Sequence, residues 1–487
     1  MLAKLEQIAA AITENDLMRT KHALIVLPKT ASVDSLRGLC GAKALSVALS
    51  RRRKKISDLA KSPVSVEVDP GVLTSWVMLD PTTTVFEQQT LLRKGLQALL
   101  AERPDEIAIG VFGTAVQRKQ ASELAVYAAW ANGARLPVRK KKTDEAALRT
   151  VRLHGFRSPD GFARQHAVAQ GNLLCRELTV LPPNELNPGN YRKRVVQLAR
   201  QRGWRHEEFD MRRLRKMGAG AFVAVAQGSA VDDAAIVHLT YRHPRAKKSF
   251  ALVGKGICYD TGGHNLKPAR YMQGMHKDMN GSAVAIGILL AVSELKLPVQ
   301  LDCWMALARN DISPRAYHQD EVVTALDGTT IEIVHTDAEG RMVLSDTLAL
   351  AARGKPGLIL DFATLTGSMH VALGERYSGI FATSEALARR AVAAGGDSGE
   401  RVCAFPMDDD YEEALESEIA DVKQCTMDGG ADHILATRLL KRFTGGLPWI
   451  HMDLSAAKCK GGLGAIGTDV NGFGVAWGVE LLRRSTQ

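Results

Sequence analysis

Two carboxylates separated by one residue, with a glycine and an arginine directly behind them, are the strongest chemical feature of this chain. They are Asp337 and Glu339 in the string Thr-Asp-Ala-Glu-Gly-Arg at 336–341. Two acids this close repel each other unless a positive charge holds them, and a metal ion is the commonest reason for such a pair. Gly340 is expected to permit the turn that aims acid and arginine at one cavity.

Further acids and lysines stand beside glycines at predicted strand ends. Lys255 and Asp260 lie in Val-Gly-Lys-Gly-Ile-Cys-Tyr-Asp-Thr-Gly-Gly at 253–263, followed by Lys267 and then by Asp278, which opens a helix. The Gly-Lys-Gly step lacks the spacing of a phosphate-binding loop. Taken singly, Asp278 is typical of a helix N-cap and Asp260 of a surface loop. Together with the first pair, these hard oxygen ligands predict a dinuclear site for magnesium, manganese or zinc.

The elements that must position these residues form two α/β domains. An apolar run and a helix-like run flank the 336–341 string, which predicts a strand-to-helix crossover of the kind where α/β enzymes place their sites. We predict a smaller N-terminal α/β domain at 1–160, with an assembly or regulatory role. A linker helix and a proline segment follow at 161–185. The larger catalytic domain, 186–487, is predicted to contain a mixed, mostly parallel sheet covered by helices.

Short apolar, β-branched runs predict the strands and longer amphipathic stretches the helices. Strands are predicted at 23–28, 64–68, 107–112, 222–228, 235–241, 250–253, 300–306, 357–363 and 449–454. Helices are predicted at 86–100, 121–131, 162–180, 191–201, 282–293 and 342–352.

Composition favours a cytoplasmic protein. The chain has 487 residues, of which 46% are hydrophobic, and seven scattered cysteines without CxxC spacing. This cysteine usage is typical of reduced thiols rather than of a disulfide framework. The N-terminus shows no signal-peptide pattern, and no apolar run reaches the length needed to span a membrane.

The net charge of +10 is concentrated in the first third of the chain, where residues 1–150 carry 23 Lys and Arg against 15 Asp and Glu. Two basic runs, Arg51–Lys55 and Arg139–Lys142, contribute to it. They are interpreted as solvated surface. The alternative is a nucleic-acid or partner-binding protein on the same scaffold, but no aromatic residues are interleaved with the runs and no DNA-binding motif is present.

The charged segments, together with Asp-Phe-Ala-Thr-Leu-Thr-Gly at 361–367, closely resemble the leucine aminopeptidase (cytosol aminopeptidase) family. The string at 336–341 is the most specific part of this resemblance. It extends from the Pro182-Pro183 segment to near the C-terminus, whereas the first domain carries no recognisable motif. The resemblance implies a hydrolase that removes the N-terminal residue from peptides through a water shared by two metal ions.

The resemblance also implies the metal ligands. One ion is held by the residues that match Lys255, Asp260, Asp278 and Glu339, and the other by those that match Asp260, Asp337 and Glu339. Two divalent ions per subunit, zinc or manganese with magnesium as an alternative, are expected. A lysine can bind a metal only when neutral, so its pKa must be depressed by the ion, which lysine permits and arginine does not.

Two cationic residues receive catalytic roles from the same resemblance. Lys267 matches a lysine that stabilises the oxyanion of the tetrahedral intermediate. Arg341 matches an arginine that holds a bicarbonate ion, the presumed general base, and its planar fork suits such an anion. The family is also typically a homo-hexamer, so peptide substrates and a hexameric assembly are expected.

The specificity pocket is predicted from the residues that match its lining, namely Met275, Thr364, Leu365 and Gly367. Ser455 replaces a small apolar residue there, and Lys458 falls where a pocket methionine can sit. We hypothesise a pocket that tolerates polar or acidic N-terminal residues. The alternative is that the Lys458 ammonium extends to solvent.

Four more residues near the predicted site depart from the family or invite a role. His335 stands where the family usually has asparagine, and is either a hydrogen-bond donor to the metal carboxylates or a packed neutral ring. His264 and His276 are interpreted as partly exposed loop histidines. Cys258 is expected to pack in the core.

Overall fold

The computed structural model describes residues 1–29, 36, 38–141 and 147–486. Lys142, the last residue of the second basic run, lies outside them. The chain forms two compact units. The first comprises Met1–Leu173 with Gly396–Glu400 and Cys459–Asn471; the second comprises Leu174–Gly395, Arg401–Lys458 and Gly472–Gln487. The sequence analysis did not assign the two short later segments to the first unit.

The first unit is built on a sheet of largely parallel strands. Its described strands are β1 (Lys4–Ile8), β2 (His22–Pro28), β3 (Val64–Asp69), β4 (Val72–Leu79), β5 (Glu106–Val111) and β6 (Thr150–His154). Its described helices are α1 (Glu14–Thr20), α2 (Ala42–Arg51), α3 (Val85–Leu100), α4 (Ala115–Gly133) and the 3-10 helix Ile56–Ala60. The strand order is β1-β6-β5-β2-β4-β3, and only β3 pairs antiparallel among the described strands.

Helix α5 (Ala163–Thr179) contains the point at which the two units divide. The helices of the second unit are α6 (Pro188–Arg202), α7 (Met211–Met217), α8 (Gly220–Ala226), α9 (Ala269–Met272), α10 (Asn280–Glu294), α11 (Glu339–Arg353), α12 (Gly367–Leu373), α13 (Glu385–Ser398), α14 (Asp432–Lys441) and α15 (Val475–Thr486). Its 3-10 helices are Met275–Lys277, Asp409–Leu415 and Arg442–Thr444.

The second unit contains the larger sheet, with strand order β15-β14-β17-β13-β9-β10-β8-β7 among the described residues. These strands are β7 (Arg205–Asp210), β8 (Ala235–Arg242), β9 (Lys248–Asp260), β10 (Val299–Asn310), β13 (Ile359–Ala363), β14 (Ser378–Ala382), β15 (Val402–Ala404) and β17 (Trp449–Asp453). A small separate sheet joins β11 (Val322–Thr324), β12 (Thr330–Glu332) and β16 (Val422–Lys423). The four central strands, β17, β13, β9 and β10, run parallel, so their C-terminal ends meet at one edge.

Most of the predicted elements are confirmed, and one is wrong. The run 222–228, predicted as a strand, belongs to helix α8. Periodicity alone cannot separate a short apolar strand from a buried helix, and three alanines here favour the helix. Its first turn is fixed from outside, because the Phe222 amide donates a hydrogen bond of 2.7 Å to the buried Asp346 carboxylate.

The core of the second unit isolates the site from solvent. Helices α10 and α11 are buried along most of their lengths, since both pack against β9. Cys258 on β9 is buried, as predicted. All seven cysteines are free thiols, and no described helix is both long and apolar enough to cross a membrane.

Candidate metal centre

The carboxyl ends of the central parallel strands supply the floor of the site. Asp260 is the last residue of β9, and it pairs in register with Asn310, the last residue of β10. The Asn310 amide donates 2.9 Å to Asp260 Oδ1 and 3.0 Å to the carbonyl of Thr336. The strand β9 and the acidic loop are thereby held together by one side chain.

A tight turn after β9 aims the next segment back over the strand end. Gly262 and Gly263 have φ of +87° and +66°, a region that residues with a Cβ rarely adopt. The Gly262 amide donates 2.9 Å to Asp260 Oδ1. The turn returns the chain so that Lys267 reaches the same acid, with its Nζ 2.9 Å from Asp260 Oδ2. Lys267 also forms an ion pair with Asp337 Oδ1.

Asp337 and Glu339 are presented at the start of helix α11, as the crossover prediction requires. Each offers an oxygen atom that lies, with one from Asp260, within 4.8 Å of the other two. The loop before them is fixed by Thr336, whose hydroxyl donates 2.7 Å to the Gly262 carbonyl. The Thr336 carbonyl also accepts 2.8 Å from the Tyr317 hydroxyl.

Lys255 brings the fourth acid into the cluster. Its Nζ lies 2.7 Å from Asp278 Oδ2 and 2.7 Å from Glu339 Oε1, and it donates 3.1 Å to the Thr364 carbonyl. The Thr364 hydroxyl donates 2.6 Å to the other oxygen of Asp278. Asp278 is therefore not a simple helix N-cap, because its carboxylate points into the site.

Gly340 has a different role from the predicted turn. It lies inside helix α11, and a Cβ there would come within 2.8 Å of both Cε and Nζ of Lys255 and within 2.9 Å of Leu365. Glycine is required so that the lysine side chain can approach the helix, and the expectation of a special turn at this residue is wrong.

The charge balance of the cluster fits bound cations. Asp260, Asp278, Asp337 and Glu339 bring four negative charges, whereas Lys255 and Lys267 bring two positive ones. Buried excess charge is costly unless it is compensated. Moreover, Glu339 is 1% exposed and its Oε2 accepts no hydrogen bond from any described residue. Oxygen donors of this kind suit divalent metal ions.

The pKa shifts have the same origin. Burial raises the pKa values of Asp278 and Asp337, and the neighbouring charges of Glu339 and Asp260 raise them further, against the opposing effect of the lysines. Burial lowers the pKa of Lys255, but three surrounding acids outweigh it and raise that pKa well above its usual value. Proton loss from Lys255 therefore requires a strong positive charge beside it.

Arg341 is buried next to this cluster and already has an anionic partner. Its Nη2 lies 2.7 and 2.9 Å from the two carboxylate oxygens of Asp432, and Nη1 donates 3.2 Å to the Gln424 carbonyl. The bicarbonate expected at this guanidinium stays a prediction, and Asp432 competes for the same cation.

His335 contacts the acidic loop through backbone rather than through a carboxylate. Its Nδ1 accepts a hydrogen bond of 3.2 Å from the Asp337 amide, and its own amide donates 3.1 Å to Gln424 Oε1. Burial, with Lys267 nearby, lowers the pKa of the ring. These observations favour the neutral ring over the hydrogen-bond donor to metal carboxylates.

The predicted pocket residues lie on segments that border the cluster. Thr364 and Leu365 follow β13, and the Leu365 amide donates 3.0 Å to Asp453 Oδ1 at the end of β17. Met275 is half-buried three residues before Asp278. Gly367 is exposed, and a Cβ there would meet open space. The roles of all four in substrate binding remain predictions.

The two departures in the pocket differ in their surroundings. The Ser455 hydroxyl donates 2.7 Å to the Tyr377 carbonyl, so its polar atom is engaged by backbone. Lys458 is exposed. Of the two loop histidines, His264 is exposed and stacks on His318 with ring centroids 4.3 Å apart, while His276 is half-buried in a 3-10 helix.

Sequence reasoning missed four residues that organise the site: Asn310, Thr336, Gln424 and Asp432. Asn310 had a usable signal, since it is a polar residue at the end of a strand predicted to be buried. Gln424 and Asp432 had none, because they lie more than 80 residues from the acids they serve.

A mixed α/β sheet with oxygen ligands and two lysines at its strand ends defines a metal-dependent hydrolase of the α/β class. The family model for the cytosol aminopeptidase family, catalytic domain, matches residues 173–479. The chain belongs to this family, and it is a metal-dependent, leucyl-type aminopeptidase.

Individual relatives agree with this assignment. A probable cytosol aminopeptidase of Methylorubrum extorquens is 38% identical over 352 residues, covering 71% of this chain and 69% of the relative. Another, of Afipia carboxidovorans, is 36% identical over 379 residues, covering 76% and 74%. Both matches extend beyond the isolated motifs, so the similarity does not depend on the acidic string alone.

Solved structures share the fold. The bottromycin maturation enzyme BotP in complex with Mn aligns with a TM-score of 0.81 at 29% identity, covering 96% of this chain and 100% of BotP. A leucine aminopeptidase of tomato aligns with a TM-score of 0.85 at 24% identity, covering 99% and 96%. At that identity the tomato enzyme supports the fold alone.

Proposed function

We propose that this aminopeptidase uses two divalent ions per subunit, held by Lys255, Asp260, Asp278, Asp337 and Glu339. The observation that carries the proposal is the convergence of four carboxylates on two lysines in a buried site with excess negative charge. Zinc or manganese is proposed, with magnesium as the alternative, and the Mn-bound BotP structure supports manganese. When bound, the ions polarise the peptide carbonyl and lower the pKa of a shared water.

The chain's own residues then have distinct tasks. Lys267 keeps its positive charge, because Asp260, Glu339 and Asp337 raise its pKa against the effect of burial. Its ammonium can therefore hold the oxyanion that forms as the carbonyl is attacked. Asn310 and Thr336 hold Asp260 and the acidic loop at fixed separation, which limits the reorganisation needed during the reaction.

The substrate is a peptide with a free N-terminus, whose first side chain is proposed to lie near Met275, Thr364, Leu365 and Gly367. A cytoplasmic location and a homo-hexameric assembly are proposed from the family resemblance. No observation in the described part of the chain favours the nucleic-acid alternative. Arg52 and Lys54 of the first basic run instead contact Ser65 and Ser62 of their own unit.

Metal content and turnover of leucyl amides test this proposal together. Wild-type protein loaded with zinc or manganese should bind two ions and release leucine. Asp337→Ala should lose one ion and most activity, while Asp410→Ala, an exposed acid of the same domain, should match wild type. Metal-loaded wild type without peptidase activity would contradict the proposal.

A further inference from the structure

The partner of Arg341 is a carboxylate supplied by the chain itself. The guanidinium is 2% exposed, and Asp432 places both carboxylate oxygens within 2.9 Å of Nη2. The Arg341 Nε accepts no partner among the described residues, so Asp432 is the only acid that the structure pairs with this cation in the described chain. A buried guanidinium with a carboxylate at this distance forms a charge-assisted contact that holds both groups in place.

Asp432 is connected to the acidic loop through Gln424. The Gln424 carbonyl accepts from Arg341, its side-chain amide donates 3.0 Å to the Ala338 carbonyl, and its Oε1 accepts from the His335 amide. Arg341 itself lies two residues after Glu339 on helix α11. The Asp432 side chain is 21% exposed although its partner is buried, so this carboxylate borders open space beside the site.

Peptide hydrolysis needs a group that accepts a proton from the attacking water, and few groups here can do so. Arg341 cannot lose its proton, and Lys267 remains protonated. The acids of the cluster are the proposed metal ligands. His335 uses Nδ1 as the acceptor for the Asp337 amide, which places the proton of the neutral ring on Nε2 and leaves that atom a donor.

We propose that Asp432, oriented by Arg341, is the proton acceptor of this enzyme and makes a free bicarbonate ion unnecessary. The inference rests on the proposed function. An O–H bond of the water breaks, the proton moves to an Asp432 oxygen, and the water oxygen bonds to the carbonyl carbon as the C=O electron pair moves onto oxygen. The proton then passes to the peptide nitrogen as the C–N bond breaks, which returns Asp432 to a carboxylate.

A carboxylate and bicarbonate are both planar anions with two equivalent acceptor oxygens, so either can satisfy a guanidinium. A tethered carboxylate has the advantage that no ion must be captured from solution, which removes the entropy cost of binding it. The wild-type enzyme should therefore work equally well in buffer depleted of bicarbonate. Removing Asp432 should open the position to a free anion.

The test measures leucyl-amide turnover by metal-loaded protein in bicarbonate-depleted buffer, with and without added bicarbonate or formate. Wild type should be unaffected by either anion. Asp432→Ala should lower kcat about 100-fold or more with little change in KM, and added bicarbonate or formate should restore a substantial part of it. Asp432→Asn should be equally slow but not rescued, because its amide still fills the position.

Asp410→Ala serves as the matched control, and metal content and thermal unfolding are recorded for every variant. Rescue by a small anion separates proton transfer from a structural role, since misfolding would not be reversed by formate. Wild-type activity that falls on bicarbonate depletion and returns on its addition would overturn the proposal without any variant. Folded, metal-loaded Asp432→Ala within threefold of wild type would overturn it too. An inactive wild type refutes the proposed function itself.

Discussion

Lys255 Nζ lies 2.7 Å from Glu339 Oε1, in a site where both side chains are at most 4% exposed. The same nitrogen lies 2.7 Å from Asp278 Oδ2. The lysine therefore occupies the centre of an acidic cluster rather than its edge. Because the acids raise its pKa, metal binding at this nitrogen must displace a proton.

Replacing Lys255 by arginine should remove one metal ligand while keeping the positive charge. An arginine side chain cannot become neutral, so Lys255→Arg should bind about one ion fewer and lose about 100-fold or more in kcat/KM. Elemental analysis and leucyl-amide turnover measure both effects. Lys355→Arg, on the exposed surface, is the control. Full metal content in Lys255→Arg would exclude this lysine as a ligand.

Metal uptake should also depend on pH in a defined direction. Since Lys255 must lose its proton when it becomes a ligand, metal binding should release protons, and apparent affinity should increase as pH rises. Calorimetric titration in buffers of different ionisation enthalpy counts the released protons. The Lys255→Met variant should release fewer protons than wild type. Equal release from both would contradict the assignment.

Gly340→Ala should disturb the site more than the fold. The added methyl group would contact Lys255 Cε and Nζ at 2.8 Å, so the lysine must move away from its two acids. Gly354→Ala is a matched control, because its Cβ would come no closer than 3.5 Å to a neighbour. We expect weaker metal binding and lower kcat for Gly340→Ala alone. Similar activities for both variants would argue against the close approach as the reason for this glycine.

Lys267→Gln should separate charge stabilisation from metal binding. Removing an oxyanion donor typically costs about 100- to 1,000-fold in kcat, and Lys267 is a cation rather than a proposed ligand. We therefore expect a large fall in kcat, a small change in KM and an unchanged metal content. Loss of metal from this variant would instead assign Lys267 to ion binding.

The buried pair of His451 and Asp361 should make stability depend on pH. Their Nδ1 and Oδ1 atoms are 2.6 Å apart and both side chains are fully buried. Burial lowers the pKa of His451, but Asp361 outweighs it and raises that pKa. The folded state then holds a proton that the unfolded state releases. The stabilisation is complete below about pH 6.5 and is lost as pH rises through the raised value.

Urea unfolding of wild type and Asp361→Asn across this range tests the pair. The variant should lose about 3–5 kcal/mol at low pH, because a buried charge is left unpaired, and its stability should vary less with pH than that of wild type. Asp410→Asn is the surface control. Parallel pH profiles for wild type and Asp361→Asn would show that the pair does not carry the proton.

Selectivity for the first substrate residue should depend on Lys458 and not on Ser455. The Ser455 hydroxyl is engaged by the Tyr377 carbonyl, so Ser455→Ala should leave the ratio of glutamyl to leucyl turnover unchanged. An exposed lysine contributes at most about 1 kcal/mol to an ion pair, which limits its preference for glutamyl amides to about fivefold. A strong leucine preference unchanged in Lys458→Met would exclude the polar-pocket hypothesis.

The sequence by itself determined the α/β class, the parallel sheet and the identity of the acids and lysines at the site. These features follow from local patterns, because apolar runs define strands and polar residues at their ends converge where parallel strands share an edge. The error at 222–228 shows the limit of such patterns, since a short apolar run fits a strand and a buried helix equally well.

Only the tertiary structure decided which groups pair. Asp432 reaches Arg341 across 91 residues of chain, and Gly340 is needed for the approach of a lysine from strand β9. The neutral ring of His335 likewise follows from its contact with the Asp337 amide. Such contacts depend on distances between elements that are remote in sequence, and local propensity and spacing carry no information about those distances.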